Sequence, residues 1–328
     1  MLMSTTSTVE PPAKRRREED KDSDAEVSIT RSPEYWFDDG NIILQVESTQ
    51  FCVAKSVLSM HSLVFRDMFR LPLPVDEPTV ENCPVVILSG DCTQDWNHLL
   101  GAMYTKRCFP TEPPTIEFIA AVLRLSKKYD IPHFRQDCVT RLKMEVPTTF
   151  ERWEDWGAEP ADKPYIKHHK DGILFLIVSL AREVGLHSVL PIAYYCIVAR
   201  EGYHYMPRLL DETELDWNLV DRHTCQCLQG YVKLIELQAR TTSVLLKPSG
   251  CRIPKHCQPA LKDIVIATFK HYPTVLEARD WGDEMCDHCR CKAKEIVEDS
   301  RKECWEKLPS MFGLPNWEDL KSLDLSLE

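Results

Sequence analysis

Glycine is scarce: the 328 residues hold 11, and none cluster as a backbone cradle for phosphate would need. No P-loop and no dinucleotide fingerprint can be traced, and neither Gly-x-Ser-x-Gly nor His-Glu-x-x-His occurs. The expectation is a chain that is not an enzyme. Long apolar runs are also missing. The longest, Ile173 to Leu180, is far short of the roughly 20 residues that cross a bilayer. It sits between Asp171 and Arg182 and reads as a buried helix; no membrane partner is expected. Met1 to Glu10 has neither the basic start nor the apolar run of a secretory signal, so a soluble intracellular protein is expected. Positive charge is in deficit, 40 Lys and Arg against 51 Asp and Glu. The net charge of -11 repels phosphate backbones and argues against direct nucleic-acid binding. No fixed-period repeat is present.

What is there suits a globular chain, with 43% hydrophobic and 28% charged residues. In a reducing compartment its 14 cysteines are free thiols or metal ligands rather than disulfides. Residues 1–33 read as a disordered tail, too poor in large apolar side chains to offset the entropy of ordering. Within it, Lys14-Arg15-Arg16-Arg17 runs directly into Glu18, Glu19 and Asp20. A self-neutralising charge block is the preferred reading; a nuclear-import signal is the alternative.

From Tyr35 onward the pattern becomes ordered. Asp38 to Asn41 reads as a turn, Ile42 to Val46 and Phe51 to Val53 as a hairpin, and Val85 to Leu88 as a short strand. Ser62 caps a helix bearing Phe65, Met68 and Phe69, and Leu71 to Glu81 reads as a loop. Further helices are expected over Gln94 to Tyr104, from an opening at Pro113-Pro114-Thr115 until Pro132 ends it, and from His133 to Glu145. Residues 146–170 read as a polar linker. The remainder, 171–328, reads as all helical. Asp171 and Ser188 are its expected caps, Leu228, Tyr231, Val232 and Ile235 one of its apolar faces, and a last long helix runs from Glu284 to Glu306.

The residues from Asp38 to Phe69 resemble the signature half of BTB/POZ domains. The resemblance rests on Phe51-Cys52-Val53-Ala54-Lys55-Ser56-Val57-Leu58, Ser62-Leu63-Val64-Phe65 and Met68-Phe69, with Tyr129-Asp130-Ile131-Pro132 resembling a turn between later helices. It implies an α+β fold over 34–145, a small β-sheet covered by helices, followed by the all-α region, and it implies protein–protein interaction as the function. Ile43, Phe51, Val53, Leu58, Phe65, Met68 and Phe69 would build that module. Ala54 departs from the family, which usually has histidine there, and a smaller polar network at that corner is expected. The closing stretch with Arg301, Trp305, Phe312 and Trp317 resembles the ending of BTB proteins expanded in mushroom-forming fungi.

Candidate sites are few. Cys286-x-x-Cys289 at a helix start presents two thiols to one ion, and Cys251, His256 or Cys257 could complete a structural zinc site. The preferred reading is a thiol core, because Cys286, Cys289, Ile296, Val297 and Cys304 share a helical face. Cys225 and Cys227 read as core, and His61 and His98 as lone structural residues. Val75-Asp76-Glu77 resembles the element with which some BTB adaptors touch cullins; the other reading is an ordinary variable loop. The leading expectation is a non-enzymatic scaffold or regulator with no required cofactor. The alternatives are a cullin-type ubiquitin ligase adaptor and a zinc-stabilised nuclear regulator. Homodimerisation is open, although a dimer that exchanges an N-terminal strand is not favoured.

Overall fold

The computed structural model describes residues 28–72, 78–105, 112–158, 165–167, 172–201, 217–247, 250–269, 273–279, 281 and 283–325. Five strands form one sheet in the order β1-β3-β2-β5-β4: β1 Thr30–Trp36, β2 Ile42–Val46, β3 Thr49–Val53, β4 Thr79–Val80 and β5 Cys83–Ile87. β2 and β3 are the antiparallel hairpin, and register puts Ile42 opposite Val53 and Leu44 opposite Phe51. Those four side chains, with Val46, enter the main core, while Ile43, Cys52 and Val85 form a small cluster of their own. Period-2 alternation thus buries both faces of the hairpin.

Helices α1 Lys55–His61, α2 Leu63–Met68, α3 Thr93–Tyr104, α4 Ile116–Lys128 and α5 Pro132–Glu145 complete the first unit. Ser62 caps α2 by accepting from the Phe65 N–H, and Thr115 caps α4 by accepting from the Phe118 N–H. Ala54 and Cys92 precede helices without supplying a side-chain cap. Other residues do it from a distance. Asn41 Oδ1 accepts from the Lys55 N–H at 2.8 Å, and Glu47 Oε2 accepts from the Thr93 N–H at 3.0 Å. The Ala54 N–H donates to the Tyr104 hydroxyl, so Asn41 and Tyr104 close the corner where the family has histidine. Asp91 is a second fixed point: its carboxylate accepts from Trp96 Nε1, Lys128 Nζ and the Tyr129 hydroxyl.

The C-terminal region is helical: α6 Phe150–Ala158, α7 Ile173–Val184, α8 Leu190–Cys196, α9 Trp217–Leu245, α10 Pro254–Thr268, α11 Asp287–Met311 and α12 Trp317–Ser322. All seven residues of α8 are buried. The backbone of Leu276 is a meeting point. Its carbonyl accepts from Trp153 Nε1 and Arg301 Nε, and its N–H donates to the Tyr195 hydroxyl. Arg301 also reaches Glu154 and Glu298, Trp305 stacks on Trp317, and Phe312 is fully buried against Tyr194. The closing motif is therefore core.

Several expectations need correction. β1 starts at Thr30, inside the segment read as tail, and pairs in parallel with β3. α1 and β4 were not foreseen: α1 buries Leu58 alone and so shows no apolar stripe, and β4 is two residues long. The supposed linker contains α6, and its Trp153 is an anchor stacked on Trp156 and edge-on to Tyr195. Two backbone N–H groups, of Tyr165 and Ile166, donate to the buried Glu145 carboxylate and tie the chain back. Asp171 lies outside the described residues, and Gly172 precedes α7 in a left-handed conformation. Ser188 does not cap α8; its hydroxyl donates to Asp324. The predicted face of α9 is rotated. Leu228 and Val232 are exposed, while His223, Leu234, Leu237 and Leu245 are buried. Gly230 sets that rotation by admitting the Phe312 ring against the helix backbone.

Candidate metal centre

Four cysteines from three chain segments converge at the end of the helical region. Gly250, after α9, adopts φ +81°, and a Cβ there would lie 3.1 Å from His288 Nε2. Glycine is therefore suited on two counts to the turn that presents Cys251. Pro254 opens α10, a position where its missing N–H costs no helical bond, and Cys257 follows on the first turns, fully buried. Cys286 is the N-cap of α11, and Cys289 lies buried in that helix's first turn. The four sulfur atoms all lie within 4.8 Å of one another. The Cys286 N–H donates to Cys257 Sγ at 3.3 Å.

The electrostatics are uneven across the four. Cys286 makes no formal capping hydrogen bond, yet the Cys289 backbone N–H facing its sulfur pulls its pKa down to about 7, helped by the other three thiols and opposed by burial. Cys289 is pushed up, first by burial and then by hydrogen bonds with its three neighbours. Cys257 is pulled down by the Cys286 backbone N–H but ends raised, through burial and hydrogen bonds to Cys286 and Cys251.

Around the sulfurs lies a second hydrophobic core, separate from the main one. It consists of Leu245, Cys257, Ala260, Leu261, Trp281, Met285, Cys289 and Ala293, flanked by Cys251, Cys286, Ile296 and Val297. The thiol stripe expected on α11 is thus divided. Cys304 belongs to the main core, where burial raises its pKa, while Cys286 and Cys289 face Cys251 and Cys257. Among the described residues this is the one set of His, Cys, Asp or Glu able to hold a metal, and His256 is not part of it.

The other predicted residues fare differently. Val75, Asp76 and Glu77, like Lys14, Arg15, Arg16 and Arg17, lie outside the described residues. Cys225 is exposed, and Cys227 is half-buried with its pKa raised to about 12 by burial. His61 is not alone: its Nδ1 lies 2.9 Å from His133 Nε2, which the 72-residue separation in sequence conceals. A cleft of about 350 Å³ between α3, α4 and α7 holds Asp95, His98, Arg124, Ser179 and Glu183. Its charges pair with one another, Arg124 reaching Glu183 at 2.7 Å and Asp95 at 3.6 Å. Ser179 lies 3.4 Å from His223 Nε2, and His223 Nδ1 lies 3.0 Å from the Tyr194 hydroxyl, which accepts from Arg182.

Residues 37–145 match the family model of the BTB/POZ domain. No curated protein matches the chain. The matched stretch ends with α5, so β2 to β5 and α1 to α5 form a BTB/POZ domain, followed by the helical region. That domain is a protein–protein interaction module and not an enzymatic one. No helix among the described residues is long and apolar enough to cross a membrane.

Proposed function

We propose that this chain is a non-enzymatic scaffold or regulator that engages a protein partner through its BTB/POZ domain. The match over residues 37–145 carries this reading. The surface suited to contact lies on α1, α2 and the residues just after α2, where Met60, Val64 and Leu71 are 71%, 42% and 68% exposed. Exposed apolar side chains of this size are costly in water unless a partner covers them. The partner is read as a protein, and a second copy of the chain is included in that class.

The test is affinity purification of the full tagged chain with mass spectrometry, beside a Met60→Glu, Val64→Glu variant. Both positions are at the surface, so the fold should survive the change. Partners recovered reproducibly with the parent are expected to be lost with the variant, and sedimentation of both proteins reads self-association. Retention of every partner and of the same oligomeric state would refute the proposed surface. Two narrower readings are decided alongside. Recovery of a cullin, and its loss on Asp76→Ala with Glu77→Ala, identifies a ligase adaptor. Nuclear delivery of a reporter fused to residues 1–33, abolished by neutralising Lys14 to Arg17, supports a nuclear regulator. The resemblance to the BTB proteins of mushroom-forming fungi draws support from the way Arg301, Trp305, Phe312 and Trp317 all serve the core.

A further inference from the structure

We propose that Cys251, Cys257, Cys286 and Cys289 bind one zinc ion as four thiolates, and that this ion fastens the start of α10 to the start of α11. Four observations support it. The first is distance. Zinc–sulfur bonds of about 2.3 Å place tetrahedral sulfurs about 3.8 Å apart. The four sulfurs already lie within 4.8 Å of one another, so side-chain adjustments of about 1 Å close the site.

The second is the donor set. Four sulfurs select a soft or borderline ion over magnesium or calcium, and four protein ligands leave no open position for substrate. The site is therefore structural and not catalytic. The third is the surrounding hydrogen bonding. The Cys286 N–H donates to Cys257 Sγ at 3.3 Å, and Cys286 and Cys289 sit at the head of a 25-residue helix. Backbone donors and the positive end of a helix stabilise thiolates, and buried thiols acting as small hydrophobes would need neither.

The fourth is the size of the local core. Only eight buried residues hold the end of α9, α10 and the start of α11 together as the second cluster, and two of them are ligands. Small cores of this kind are commonly completed by a disulfide or a metal. The cysteines are free, and Cys251 and Cys286 remain partly exposed, which gives them little to gain from burial alone. Binding exchanges the thiol protons for metal–sulfur bonds, with no change in oxidation state. This inference is independent of the partner surface, because the two tests alter different segments of the chain, in separate hydrophobic clusters, and read different quantities.

The experiment is elemental analysis of the full-length chain purified without added zinc. About one zinc per chain is expected, falling to near none in Cys286→Ser with Cys289→Ser. Cys92→Ser with Cys225→Ser, at exposed thiols outside the cluster, should retain it. If the first variant fails to fold, the parent stripped with chelator is titrated with Co²⁺. The visible bands of tetrahedral tetrathiolate cobalt, bleached by one equivalent of zinc, would support the site. Iron in place of zinc, two disulfides by intact mass, zinc unchanged in Cys286→Ser with Cys289→Ser, or a metal-free parent without the cobalt spectrum would each overturn the proposal.

Discussion

Replacing Gly230 by alanine sets two opposed effects against each other inside α9. Alanine is the better helix former by about 1 kcal/mol, so sequence alone favours the substitution. The structure reverses the sign. A Cβ at 230 would stand 1.9 Å from Cε1 and 2.3 Å from Cδ1 of Phe312. That ring has no exit: it is fully buried and stacked on Tyr194 at 5.5 Å, and the Tyr194 hydroxyl is tied to Arg182 and His223. Overpacking a core costs about 1–3 kcal/mol, and so close a contact belongs at the upper end. The expected net loss is about 2 kcal/mol, or roughly 4–8 °C in Tm if the transition has the sensitivity of domains of about 150–250 residues. Thermal unfolding followed by circular dichroism measures it. Shortening the ring in a Phe312→Leu background should remove the conflict, so that Gly230→Ala there becomes neutral or stabilising. A Gly230→Ala protein that melts at or above the parent would refute the reasoning.

Two further outcomes follow from the BTB/POZ domain. Asp91→Ala leaves Trp96 Nε1 and the Tyr129 hydroxyl without their acceptor and should cost about 2–3 kcal/mol in urea unfolding; a loss within the error of the parent would show that the carboxylate is not a structural hub. His61 and His133 are both held below the ordinary histidine pKa, chiefly by burial and, for His61, also by His133. Their neutral forms are favoured by folding, so stability is full above the unfolded pKa of about 6.5 and is lost as pH falls through the folded values. Tm should drop on acidification below about pH 6.5, and less steeply in His133→Gln; equal slopes for the two proteins would count against the pair.

Much of the first domain was readable because its signals are local. The hairpin strand Ile42–Val46, the Ser62 cap and the turn before Pro132 each follow from adjacent residues, and each appears where expected. What escaped reading depends on partners distant in sequence. Asn41 and Glu47 cap helices they do not belong to, and His61 meets His133 across the fold. The face of α9 could not be found from periodicity, because Gly230 contributes no hydrophobicity of its own, only room for a ring from residue 312. Trp153 and Trp156 were lost among the charges and prolines of their segment, although two tryptophans in nine helical residues are a burial signal. The cysteine group was visible as residue types and spacing, with Cys251 and Cys257 set beside Cys286 and Cys289, but the convergence of their four sulfurs needed the geometry.

The way the two regions join bears on how the domain can work. One hydrophobic core runs from Ile42 in the sheet, through α4 and α5, to Phe312 near the end of the helical region. α4 is buried on several sides, with Ile116, Ile119, Ala120, Ala121, Val122, Leu123 and Leu125 all enclosed. Its exposed edge is fastened too, by Arg124 to Glu183 and by Lys127 to the Val184 carbonyl. Asp324 then bridges Lys143 of α5 to Ser188 ahead of α8. The helical region is therefore not a second reader on a tether: it covers α4 and part of α5 as a constant part of the fold. A partner that docks on α1 and α2 meets a BTB/POZ domain whose α4 and α5 are already held. Binding there need not pay the entropy of ordering two loosely joined domains.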